Sequence, residues 1–272
     1  MSDRNADDDA EIEATKAPLL DHLIELRKRL IYSTIAFVLA FILCFAFAEQ
    51  IYGFLTQPLA HALAGQRNDH LIYTALYETF FTYVKVGMFG GLCLAFPFIA
   101  GQLWLFVAPG LYRNERKAIL PFLLASPVLF IVGASFVYYI MLPVAIRFFA
   151  GYQTPSGHGQ IGIELLAKVS DYLDFVMTLI VAFGLTFQMP VLLALLGRVG
   201  ILSAKQLRSF RRYAIVGIFA VAAVATPPDV FSQLSLALPL LVLYEISILL
   251  VWMIEKKRAE EDAVEEGESG EE

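Results

Sequence analysis

Six apolar runs divide this chain, at roughly 30–48, 79–100, 118–140, 173–197, 213–226 and 233–254. A helix needs about 20 apolar residues to cross a hydrocarbon core near 30 Å. The runs therefore predict an all-α polytopic membrane protein with six transmembrane helices. Composition agrees: 58% of residues are hydrophobic and 17% charged, against about a quarter charged in soluble domains. The fifth run is the odd one. Tyr213 to Thr226 makes only about 21 Å of helix at 1.5 Å per residue, and Pro227 and Pro228 stop it. A span that short must thin the bilayer, use snorkelling flanks or pack against a partner. Pro97, Pro121, Pro127, Pro143, Pro190 and Pro239 interrupt the other runs or their edges. Each removes one backbone hydrogen bond and favours a kink, so the bundle is expected to be curved and its helices tilted. No inverted repeat of the kind found in secondary transporters is visible.

Charge assigns the sides. The N-terminal part, the segments 101–117 and 198–212, and the C-terminus together carry 16 bases. The intervening segments carry Arg67, Arg147 and Lys168, and Lys85 lies inside the second run. Lys and Arg are retained on the cytoplasmic side, so both termini are expected there. The outer segments 49–78 and 141–172 are long and contain amphipathic pieces suited to the interface. The net charge of −6 comes from the ends. Residues 1–13 hold six acids and one base, residues 259–272 eight acids and no base, and the remainder 12 acids and 19 bases. Residues 1–17 and 256–272 thus read as solvated, disordered tails around a membrane domain at 18–255. An acidic start does not fit a cleavable signal peptide, so the first run is expected to stay in the mature protein. Cys44 and Cys93 each sit in an apolar run and read as small buried hydrophobes.

Several polar groups need a reason for their positions. Glu25 lies in His22-Leu-Ile-Glu-Leu-Arg-Lys-Arg-Leu30, where a helix sets it against Lys28 and Arg29 at i+3 and i+4. It is either half of a surface ion pair worth about 0–1 kcal/mol or a site for a foreign cation. Glu115 has the helical neighbours Leu111, Tyr112, Ala118 and Ile119, none of them charged. It is either a solvated loop acid or an acceptor for guanidinium, which binds carboxylates bidentately where Lys cannot. Gln188 and Glu245 fall inside apolar runs, where an uncompensated polar group is costly. Each serves either as a hydrogen bond between helices or in function. Lys85, near the outer end of its run, is expected to snorkel. Thr226, Asp229 and Gln233 surround the end of the fifth run, with Asp229 or Ser232 as cap of the last helix. The sequence has no GxxxxGK[ST] loop and no HExxH, and its four histidines are scattered. No enzyme activity, metal or cofactor is expected.

These residues bring a family into view. His22–Leu30, Gln57-Pro-Leu59, Gln102-Leu-Trp-Leu-Phe-Val-Ala-Pro-Gly-Leu111, Tyr112-Arg-Asn-Glu-Arg116, Phe183-Gly-Leu-Thr-Phe187 and Thr226-Pro-Pro-Asp-Val-Phe-Ser-Gln233 occur in this order. The chain resembles the TatC family, the core membrane subunits of the twin-arginine protein translocase. The resemblance covers nearly everything but the tails. It implies a concave six-helix bundle in the cell (inner) membrane that recognises twin-arginine signal peptides of folded cargo at the cytoplasmic face.

By the same resemblance, Glu25 and Glu115 contact the paired arginines, and Arg27 and Phe106 help to form the site. Leu26, Pro58, Tyr112, Arg116 and Asp229 support the motifs. Thr226 and Gln233 belong to a polar cluster where single-span TatB and TatA subunits dock. Self-association in a multi-copy complex and transport driven by the proton motive force, without nucleotide or nucleic acid, are also implied. One departure stands out: many relatives carry glutamate where this chain has Gln188, and an amide holds neither charge nor proton. The competing readings are a secondary transporter of a small solute, an intramembrane protease and a structural scaffold.

Overall fold

The computed structural model describes residues 3–63, 71–111, 120–154, 161–163, 165–226 and 230–269. The helices are α1 Asp3–Ala46, α2 Ala48–Leu63, α3 Glu78–Leu111, α4 Leu120–Phe136, α5 Leu142–Ala150, α6 Val169–Thr186, α7 Met189–Arg198, α8 Ala204–Ala225 and α9 Val230–Ser269. A π-helical turn, Val137–Met141, joins α4 to α5. Extended pairing among the described residues is limited to two isolated bridges, Ile72 with Lys168 and Thr154 with Ile163. The all-α expectation holds. The helical bounds of α1 and α9 run well into the acidic ends.

Among the described residues, five stretches are long and apolar enough to cross a membrane: His22–Ala46, Glu78–Phe106, Pro121–Ala150, Val169–Arg198 and Ser232–Glu260. The fifth run is different. It forms the second half of α8, a 22-residue helix whose first half carries Lys205, Arg208, Arg211 and Arg212. The helix is thus of ordinary length and only its apolar part is short. Ser203 and Gln206 start it with a reciprocal capping box, Gln206 N donating to Ser203 Oγ at 3.1 Å and Ser203 N to Gln206 Oε1 at 2.9 Å. Most of the expected 198–212 connection is therefore helix.

Small residues decide how closely the helices approach, as they do where lipid supplies no hydrophobic drive between helices. A Cβ on Gly91 would lie 2.7 Å from the Phe41 Cα, and one on Gly87 3.1 Å from the Phe45 Cα. With His22 against Phe106, these contacts show α1 and α3 running antiparallel. Gly184 of α6 faces the Phe130 ring of α4, and Gly197 of α7 faces Val251 of α9. Tyr244 Oη donates to the Leu207 carbonyl at 2.8 Å, holding α9 antiparallel to α8.

The main core gathers Leu55, Val86, Val137, Leu142, Leu173 and Phe183 from α2 to α6. A smaller cluster of Phe96, Trp104, Phe130 and Leu195 ties α3, α4 and α7 together. The α6–α7 break falls at Phe187 and Gln188, just before Pro190. Cys44 is buried and Cys93 half-buried, both as free thiols.

Candidate functional site

The antiparallel α1–α3 pair sets the first part of the candidate site. The His22 and Phe106 rings stack with centroids 4.2 Å apart and planes 20° from parallel. Three residues along α1 from His22, Glu25 accepts from Arg29 Nε at 2.9 Å and also from Arg29 Nη2. Both contacts go to Oε1, and Oε2 has no donor among the described residues. Lys28 takes no part in this pair. Its ammonium lies 5.9 Å above the Tyr32 ring, a cation–π contact. Arg27 is exposed, and Leu26 is 41% exposed on the same turn. The local ion pair expected for Glu25 therefore exists, but it is half-open. Glu115, Tyr112 and Arg116, like Asp229, lie outside the described residues.

At the far end of the bundle, Pro58 explains part of the Gln57-Pro-Leu59 motif. Proline has no N–H, so the carbonyl four residues back loses its helical donor. That carbonyl belongs to Phe54, and Tyr138 Oη donates to it at 2.8 Å. The Phe54 and Tyr138 rings also stack, 4.3 Å apart. Tyr172 Oη donates to the next carbonyl, that of Leu55, at 2.9 Å. Two tyrosines from α6 and the π-turn thus tether α2. Tyr138→Phe should destabilise the protein by about 1 kcal/mol, the net worth of a typical hydrogen bond, here to a partly buried acceptor. Adding Pro58→Ala restores a backbone donor, so the double variant should lose less than the sum of the singles. Thermal melts of the four proteins in one detergent check this, and strict additivity would refute the assignment.

Gln188 and Glu245, the polar groups expected inside the membrane, are both engaged. Ser126 Oγ donates to Gln188 Oε1, and Gln188 Nε2 donates to the Ser126 carbonyl at 2.9 Å. Gln188 therefore bridges the α6–α7 break to α4. Glu245 of α9 pairs with Arg211 of α8 at 2.7 Å, so its carboxylate is directed to α8 and not to the Gln188 bridge. At the α8–α9 corner, buried Thr226 donates to the Ala222 carbonyl at 2.8 Å, and Gln233 Nε2 to the Phe219 carbonyl at 3.2 Å. Both side chains bind the last turns of α8 and shape that corner.

Two features escaped the sequence reading. Lys85 does not merely snorkel: it pairs with Asp174 of α6 at 2.6 Å. Asp174 lies within the fourth apolar run, and an ionisable residue there is itself a signal that a partner is needed. Glu78 is buried and accepts from Thr74 N at 2.9 Å and Ser170 Oγ at 2.8 Å, with Lys168 at 3.5 Å. It joins the segment before α3 to the start of α6.

Comparison with known proteins agrees with this architecture. The model of the family described as Sec-independent protein translocase protein (TatC) matches residues 21–239. The chain belongs to the TatC family. The protein of that name from Magnetococcus marinus is 49% identical over 253 residues, covering 93% of this chain and 90% of its own length. The Escherichia coli K12 protein is 40% identical over 231 residues, 85% of this chain and 86% of its own. A crystal structure of the twin-arginine translocase receptor TatC superposes with a TM-score of 0.76 at 39% identity, over 86% of this chain and 99% of that one. A second, solved in DDM, gives 0.74 at 41%, over 84% and 98%. This TatC-family chain is a multi-pass membrane component of a protein translocase.

Proposed function

We propose that this chain is the receptor for twin-arginine signal peptides, with Glu25 and Glu115 as the carboxylates that take the two guanidinium groups. The observation that carries the reading is the half-open Glu25: Arg29 occupies Oε1 only, and a partly exposed i,i+4 pair of this kind is worth about 0–1 kcal/mol. A second guanidinium can join at Oε2 or displace Arg29 at little cost. The stacked His22 and Phe106 rings put the end of α3, which leads toward Glu115, beside this turn of α1. Exposed Arg27 and Leu26 border the same surface. Two surface ion pairs give modest affinity, so apolar contacts with the rest of the signal must supply the remainder.

The same reading puts both termini in the cytoplasm of a cell, with α8 as the fifth of six spans in its (inner) membrane. It keeps residues 18–255 as the working domain between solvated acidic ends. It assigns the Thr226–Gln233 corner to TatB-like and TatA-like single-span subunits, and it includes multi-copy assembly, no catalysis and energy from the proton motive force. Gln188, with its hydrogen bonds to Ser126, is a structural bridge in this reading and not a proton site.

Photo-crosslinking in membranes tests the receptor role. Peptides with Arg-Arg or Lys-Lys are compared on the unmodified protein, Glu25→Ala and Glu115→Ala. Crosslinks should require Arg-Arg and fall at least about tenfold in Glu115→Ala, since hydrogen bonds to charged groups are worth roughly 1.5–3 kcal/mol. Equal crosslinking in every combination would remove the receptor assignment.

A further inference from the structure

A cavity of about 480 Å³ opens between α2 and the π-turn–α5 segment, at the end of the bundle opposite the His22–Phe106 stack. Its charged lining is all basic or neutral: His61 from α2 and Arg147 from α5, with Gln57 and the phenol of Tyr138. No carboxylate lines it among the described residues. Arg147 has no ion-pair partner among them either, whereas Lys168, just before α6 at this end, is held by Glu78.

The location narrows the ligand. Arg147 lies three residues before Ala150, where the third candidate span ends, and so sits at interface depth. Aromatic residues crowd this level, as they do at membrane–water boundaries. Tyr139 is 70% and Tyr152 64% exposed. Tyr139 also lines the cavity, beside Tyr138 on a π-helical turn, a conformation frequent at functional sites. Short helices α2 and α5 form its two walls, so apolar chains can lie along them while a headgroup enters between.

We propose that this cavity binds the phosphate headgroup of an anionic phospholipid, with Arg147 as the principal contact, His61 and the Gln57 amide as further donors, and the tyrosines as its rim. Arginine suits the role because its planar fork meets two phosphate oxygens at once. A headgroup so held would pin α2 to α5 through the lipid, in addition to the Tyr138 tether.

Native mass spectrometry of the full chain in detergent provides the test, with phosphatidylglycerol and phosphatidylcholine added in turn. The unmodified protein should retain phosphatidylglycerol in preference. Arg147→Gln should lower that preference about fivefold, the factor expected for one base beside an anionic surface. Arg147→Lys should retain part of it, and Lys205→Gln, on exposed α8, should leave it unchanged. The thermal melt of Arg147→Gln in phosphatidylcholine should match the unmodified protein, which separates lost binding from lost folding. Equal preference in the unmodified protein and Arg147→Gln would overturn the proposal. So would Arg147-dependent binding of inorganic phosphate without lipid retention, which would assign the cavity to a free anion.

Discussion

Gly91→Val is expected to abolish transport and to separate His22 from Phe106. Even the Cβ of an alanine at position 91 would meet Phe41 Cα at 2.7 Å and Phe41 N at 2.8 Å. These are backbone atoms of α1, so no rotamer change relieves the contact. The helices must move apart, and overpacking of this kind costs about 1–3 kcal/mol. Most of α1 packs against α3 alone: its other faces expose Ile35, Leu39 and Ile42. A shift at Gly91 therefore propagates along the whole pair to the Glu25 turn.

The measurement pairs cysteines at positions 22 and 106, in a chain with Cys44 and Cys93 replaced by alanine, with a short thiol crosslinker. Crosslinking should be efficient with Gly91 and lost with valine, and alanine should fall between. Gly217→Ala serves as control, since nothing lies within 4 Å of a Cβ there. Undiminished crosslinking and transport in Gly91→Val would show that α1 docks elsewhere.

The bundle was legible in the sequence to the extent that membrane physics writes itself into composition. Apolar runs set by bilayer thickness located five spans, and the Pro190 signal matched a real break in the fourth. The fifth run misled about length because hydropathy sees only apolar residues. The basic turns from Lys205 to Arg212 are helical for a different reason, a capping box at Ser203. The local ion pair of Glu25 follows from i,i+4 spacing, which is a property of one helix. The Lys85–Asp174 and Gln188–Ser126 contacts join residues 89 and 62 positions apart, and no local periodicity encodes such distances. Phe106 was reached through family resemblance alone. Its stacking on His22 depends on the antiparallel α1–α3 contact, which rests on glycines whose role appears only when helices meet.

Lys85→Met should be far more damaging than Lys85→Met combined with Asp174→Leu. Lys85 stands seven residues beyond Glu78, where α3 begins, or about 10 Å along the helix at 1.5 Å per residue. That is well within the half-thickness of a hydrocarbon core near 30 Å. Lys85 borders an apolar groove of about 820 Å³ lined by Phe37, Met88, Phe89, Val181 and Val224. Lys85 itself lines this groove, so its half-exposed side chain opens onto it. Removing one partner leaves a charge without compensation in that setting, at a cost of about 3–5 kcal/mol, whereas replacing both by apolar groups is often neutral. Exchange of the two charges, Lys85→Asp with Asp174→Lys, should restore most of the stability because α3 and α6 again attract each other.

Thermal melts and membrane accumulation of the four variants check the order: both single losses severe, the apolar double and the exchange near the parent. If instead each single change costs no more than about 1 kcal/mol, as for a solvated surface pair, the groove admits water to this depth. The two results thus distinguish a lipid-filled groove from a wet one, and a wet groove would leave the membrane locally thinned along α3 and α6, beside the short apolar half of α8.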